Sequence, residues 1–81
     1  MGRTWNDQGH AWVPLALQWR RKAHGLTLNG LAQKIEEVTG RRFSTATVTH
    51  WEEEKPYLAP PANIVTALGK ILECDTDDFY F

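Results

Sequence analysis

Hydrophobic residues recur at helical spacing along most of this chain, and no stretch shows the alternation typical of a β-strand. Near the beginning, Pro14 suits the first position of a helix, where its missing N–H costs nothing. Good helix formers then continue to Gly25, a common C-terminal stop. Val13, Leu17 and Arg21 follow one another at four-residue steps on one face. The pattern predicts a first helix over residues 14–24.

A second amphipathic stretch follows at once. Thr27 is a plausible N-cap, and Gly40 is a plausible end. Between them one apolar stripe is predicted to face the core, formed by Leu28, Leu31, Ala32, Ile35 and Val38. Gly30 lies in the first turn, where glycine weakens a helix, and the sequence gives no reason for it. The pattern predicts a second helix that begins after Thr27 and ends at Gly40.

The third predicted helix runs from about Ser44, a candidate N-cap, to Glu54. It has two strong apolar positions, Val48 and Trp51, and its other positions are rich in threonine. β-branched threonine is a poor helix former, so propensity alone does not hold this segment. A polar face of this kind favours a ligand, although a merely solvated face has the same composition.

The remaining helices follow a loop at 54–61 that is marked by three prolines. Pro61 can open a fourth helix, and Asp75 with Asp78 resembles a capping box that opens a short last helix through Phe79. The buried side of the fourth helix is predicted to consist of Ile64, Val65, Leu68, Ile71 and Leu72. The sequence therefore predicts an all-α fold, a compact bundle of four to five short helices. Residues 1–12 form an N-terminal arm, and residues 13–81 form the helical domain.

Composition narrows the possible functions. The chain has 81 residues, of which 42% are hydrophobic and 23% are charged, and its formal net charge is −1. Because it lacks an apolar run of bilayer length and a signal-peptide pattern, we expect a cytoplasmic protein without a membrane role. The single cysteine excludes an internal disulfide. We expect no catalytic activity and no cofactor, because the sequence has no phosphate-binding loop, nucleophile elbow or paired catalytic carboxylates. No metal site is expected either, because the spacing of His10, His24, His50 and Cys74 does not fit metal ligands.

Charge is unevenly distributed along the chain. Residues 1–43 contain seven basic and three acidic side chains, whereas residues 44–81 contain two basic and seven acidic ones. One face can therefore be basic while the whole molecule is not. The total balance is less basic than is usual for a nucleic-acid binder.

Three segments together resemble the Cro and lambda-repressor type of helix-turn-helix domain, the XRE family. They are LTLNGLAQKI, FSTATVTHWE and IVTALGKILECDTDDF, and the resemblance covers roughly residues 13–80. Its most specific positions are Leu26, Leu31 and Ala32 in the first helix of the motif, and Val48, Trp51 and Glu52 in the second. Val48 follows Ala32 by sixteen residues, about six more than a helix-turn-helix with a tight turn of three or four residues would give. The resemblance therefore implies a helix-turn-helix with a lengthened turn.

The resemblance implies a sequence-specific regulator, repressor-like, that binds double-stranded DNA with the helix at 44–54 in the major groove. Base contacts are expected from Thr45, Ala46, Thr49 and His50. Phosphate contacts are expected from Thr27, Asn29, Arg41, Arg42, Ser44, Thr47 and Lys55. The family also pairs two residues that correspond to Arg21 and Glu52 as a buried ion pair. DNA binding further requires the basic residues at 20–22, 41–42 and 55 to share a side with Thr45 and His50.

A protein partner remains open beside DNA. The acidic second half and the Glu53–Glu54 pair favour a protein-interaction module or an antitoxin-type partner protein on the same fold. Trp5, Trp12 and Trp19 recur every seven residues, which fits an arm folded over the core, a dimer contact or a base-stacking surface. A homodimer could form through this aromatic arm or through the C-terminal aromatics Phe79, Tyr80 and Phe81.

Overall fold

A computed structural model describes residues 11–55 and 57–81. Four α-helices and a closing 3₁₀ helix follow one another: α1 (Pro14–Ala23), α2 (Leu28–Thr39), α3 (Thr45–Trp51), α4 (Ala62–Ile71) and the 3₁₀ helix Thr76–Phe79. The all-α fold class is confirmed. None of the helices in the described ranges is long and apolar enough to cross a membrane.

Local backbone and side-chain chemistry fixes both ends of α2 and the start of α3, as the sequence predicts. The Oγ1 atom of Thr27 accepts a hydrogen bond from the Gly30 N–H at 2.9 Å, and Ser44 Oγ accepts one from the Thr47 N–H at 3.2 Å. At the other end of α2, Gly40 adopts a left-handed conformation with φ 75°. The structure also accounts for Gly30, because a Cβ there would lie 3.2 Å from the Thr27 cap oxygen. Glycine leaves room for the cap.

The core lies where α2 packs against both α3 and α4. Leu31 and Ile35 of α2 are fully buried, as are Val48 of α3 and Leu68 of α4. On the other side, α1 and α4 both contact the closing 3₁₀ helix, whose Phe79 is completely buried. With the rest of the buried cluster, these side chains hold the bundle together by hydrophobic burial.

Trp12, near the start of the described chain, contacts both the C-terminal segment and the end of α3. It forms an isolated antiparallel bridge with Tyr80, and its ring stacks on Phe79 at 5.6 Å. Its indole Nε1 donates a hydrogen bond of 2.9 Å to the Trp51 carbonyl, and its own carbonyl accepts one from the Tyr57 hydroxyl. At 1% exposure Trp12 is part of the core. Residues 1–10 of the expected arm, including Trp5, lie outside the described residues.

Several predicted details are wrong, and tertiary contacts explain most of them. Helix α3 ends at Trp51 rather than Glu54, because Glu52 turns inward to a buried partner. Val38 is predicted to face the core with the rest of the apolar stripe of α2, but it is 48% exposed. Asp75 makes no capping hydrogen bond, so the capping box is absent. Phe79 is buried and therefore unavailable as a dimer surface.

Candidate nucleic-acid interface

One side of α2 and the start of α3 border an open cleft of about 450 Å³. Asn29 comes from α2, Ser44 and Thr45 come from the start of α3, and Arg42 comes from the connection between the two helices. That connection, Gly40–Ser44, has five residues and follows an α2 of twelve. The cleft is completed by Ala32, Gln33, Glu36 and Phe43. Four of the residues expected at DNA are thus brought together.

A buried ion pair fixes the far end of α3. Arg21 Nε lies 2.6 Å from Glu52 Oε2, and Arg21 Nη2 lies 3.0 Å from Oε1, so the contact is bidentate. The remaining Nη1 donates to the Leu26 carbonyl at 2.8 Å. Arg21 is 9% and Glu52 4% exposed. This pair, which the family resemblance implies, ties α1 and the α1–α2 turn to the end of α3.

The outward side of α3 carries small, uncharged side chains. Thr45 and Ala46 are exposed, and the Thr45 hydroxyl makes no hydrogen bond within the described residues. The other hydroxyls are engaged: Thr47 Oγ1 lies 3.0 Å from Ser44 Oγ, and Thr49 Oγ1 donates to the Thr45 carbonyl at 2.7 Å. Thr45 is therefore the threonine best placed to hydrogen-bond a ligand.

Two candidate contacts have acidic neighbours. Arg42 Nε lies 3.3 Å from Glu36 Oε1, and 82% of the Arg42 side chain is exposed. His50 Nδ1 lies 3.4 Å from Glu53 Oε1, and although this nitrogen is buried, the contact lacks hydrogen-bond geometry. The sequence analysis did not predict a role for Glu36. Its only signal there is an acidic residue six positions before Arg42. Both carboxylates reduce the positive field that a phosphate would meet.

The other candidate phosphate contacts are exposed and lie around the same helices. Arg41 places its guanidinium 5.3 Å from the centre of the Phe43 ring, a cation–π contact that holds it beside the cleft wall. Lys55 is exposed beyond the end of α3, and Thr27 is exposed as the cap of α2. The Thr27 hydroxyl already accepts a hydrogen bond from the Gly30 N–H.

Two of the three basic residues of α1 are held by other partners, contrary to the expectation that the basic residues at 20–22 share a side with Thr45 and His50. Arg20 pairs with Asp78 of the closing 3₁₀ helix at 3.3 Å, and Arg21 is buried with Glu52. Lys22 is exposed at the end of α1. Among the described residues, the exposed cations in the connections on either side of α3 are Arg41, Arg42 and Lys55.

In the described part of the chain, no group of three or more histidine, cysteine or acidic residues could hold a metal ion. No protein-family model, curated protein or solved structure matches the chain.

Proposed function

We propose that the protein is a sequence-specific regulator that binds double-stranded DNA, with α3 in the major groove. The observation that carries the proposal is the cleft between α2 and α3, where Thr45, Asn29 and Arg42 converge. An α-helix fits the major groove, and residues near its N-terminus meet base edges there. Segment 43–51 contains no acidic residue, so its exposed side can approach DNA without a repelling carboxylate of its own.

The side chains on and beside α3 are expected to make two kinds of contact, with base edges and with phosphates. Thr45 offers a hydroxyl to a base edge, and Ala46 offers a methyl group that fits a thymine methyl. Arg42 and Arg41 supply charge to phosphates and fix the position of α3 without reading sequence. The buried Arg21–Glu52 pair supports this role because it holds the end of α3 against α1.

Salt dependence follows from the small number of available cations. The slope of log K against log salt is about −0.9 for each phosphate neutralised. With Arg41, Arg42 and Lys55 as contacts, one copy of the chain should give a slope of about −3. Specific binding therefore depends on base contacts more than on charge.

Two substitutions separate the expected roles. Both can be measured by fluorescence anisotropy with a duplex selected from random DNA, here called the operator, and with an unselected random duplex. Thr45→Ala should cost about 1–3 kcal/mol on the operator and relax the preference at one base pair. Arg42→Ala should weaken binding to both duplexes alike and reduce the salt slope by about one unit. Lys34→Ala is the control, because Lys34 is exposed on α2 but lines a different cleft. Equal losses for Arg42→Ala and Lys34→Ala would contradict the proposal.

The alternative is a protein-interaction module on the same fold, and one observation favours it. Glu36 lies in the cleft against Arg42, where it would repel phosphate. Glu36→Gln distinguishes the two functions, with Glu37→Gln as the control on the neighbouring face. If DNA is the ligand, Glu36→Gln should raise affinity by roughly twofold to fivefold, as removal of a weak surface ion pair permits. Unchanged or weaker DNA binding would favour a protein partner.

A further inference from the structure

An apolar patch covers one side of α1. It is formed by Val13, Leu15, Ala16, Trp19 and Ala23, and it lines an open depression of about 520 Å³. Trp19 is 77% exposed and Leu15 49% exposed. Monomeric proteins rarely expose large contiguous apolar patches, and such patches mark interaction sites. We call this surface the α1 patch.

We propose that the α1 patch is the contact through which two copies of this chain pair. Its edge carries one cation and one anion, Arg20 and Asp78, which lie 3.3 Å apart with about 40% of each side chain exposed. A twofold interface brings the same surface together from both copies, so a patch must complement itself. With one charge of each sign at its edge, Arg20 of each copy can face Asp78 of the other.

Charge argues against the other apolar-floored depression as the pairing surface. That depression lies between α2 and α4 and carries Lys34 and Lys70 against the single acid Glu37. Two copies meeting there would bring like charges together, which opposes association. The α1 patch is neutral, and it has the larger exposed aromatic surface.

The α1 patch and the cleft between α2 and α3 share no residue, so pairing through α1 does not use the lining of the cleft. If the proposed function holds, the dimer presents two α3 helices related by a twofold axis, and its operator is an inverted repeat. The pairing itself needs no DNA, so it can fail or succeed independently of the proposed function.

Sedimentation velocity without DNA tests the pairing. The wild-type protein should shift from 9.3 kDa toward twice that mass as its concentration rises. Leu15→Glu and Trp19→Glu should raise the dimer Kd by more than about tenfold, because each places a charge in an apolar contact. The matched control is Val38→Glu, since Val38 is 48% exposed but lies on α2. Circular dichroism establishes that each variant is folded.

A charge exchange identifies the partner as a second copy. Arg20→Asp alone and Asp78→Arg alone each place like charges at the interface and should weaken pairing. A mixture of the two variants should pair again, because every opposed contact is then between opposite charges. A wild-type monomer throughout the concentration range would overturn the proposal. So would equal dimerisation of Leu15→Glu and Val38→Glu, or a dimer lost only on substitution of the exposed Phe81.

Discussion

Replacing Arg21 with alanine should destabilise the protein far more than any surface substitution on α1. The change leaves the Glu52 carboxylate, 4% exposed, without its two hydrogen-bond donors. Breaking a buried pair by removing one partner costs about 3–5 kcal/mol, because an uncompensated charge stays buried. The Leu26 carbonyl also loses its donor, which adds about 1 kcal/mol. The expected total is about 4–6 kcal/mol.

This loss is large for a chain of 81 residues. Domains of this size are stable by roughly 4–12 kcal/mol, and each 1 kcal/mol corresponds to about 4–8 °C in Tm. The Arg21→Ala variant should therefore be partly or fully unfolded, with a Tm lower by at least about 16 °C where a transition remains. Urea and thermal unfolding followed by far-ultraviolet circular dichroism measure both quantities.

The neighbouring arginine provides the matched control. Arg20 lies on the same helix and pairs with Asp78, but 40% and 42% of these side chains are exposed. Water and salt screen such a pair, so Arg20→Ala should cost about 0–1 kcal/mol. The double variant Arg21→Met/Glu52→Leu should recover much of the stability lost by Arg21→Ala, because no buried charge remains. If Arg21→Ala and Arg20→Ala had equal effects, the argument from burial would be refuted.

Three further results are expected. Gly69→Ala should destabilise by about 1–3 kcal/mol in urea unfolding, because the new Cβ would lie 2.9 Å from the Cys74 carbonyl; a stabilised variant would contradict this. Trp12→Phe should cost at least about 1 kcal/mol, because the Trp51 carbonyl loses its indole donor; unchanged stability would show that this bond contributes nothing. Burial raises the pKa of the Cys74 thiol, so the native protein should react with iodoacetamide more slowly than the urea-unfolded chain at alkaline pH. Because the folded state keeps this proton longer, its contribution to stability is complete below the ordinary thiol pKa and is lost as pH rises through the raised value.

Helix positions could be predicted from the sequence because short-range chemistry determines them. The Thr27 and Ser44 hydroxyls each bond to an N–H three residues later, and Gly40 supplies the left-handed residue that ends α2. Each of these contacts lies within a few residues and can be recognised from residue type alone. The all-α fold class could be predicted from the helical spacing of the apolar residues.

The end of α3 could not be predicted because long-range contacts determine it. Trp12 bonds to the Trp51 carbonyl across 39 residues, and Arg21 draws Glu52 inward across 31. The exposure of Val38 similarly depends on which neighbours cover the last turn of α2, not on its place in the apolar stripe.

At the candidate interface, the sequence supplied the residue types but not their partners. It nominated Arg42 without Glu36, and it named Glu53 as an unfavourable acid without placing it beside His50. It also grouped Arg20 with the DNA-facing cations, whereas Arg20 pairs with Asp78 of the closing 3₁₀ helix. Charge counts along a chain carry no information about which charges neutralise one another after folding.

Selection of binding sites from random duplex DNA by the purified protein tests the central claim most directly, when it is followed by titration of the selected duplex at two salt concentrations. The account predicts an enriched motif that binds much more tightly than random DNA, with a salt slope near −3 for each bound copy of the chain. Absence of any enriched motif at low salt would contradict DNA recognition by α3.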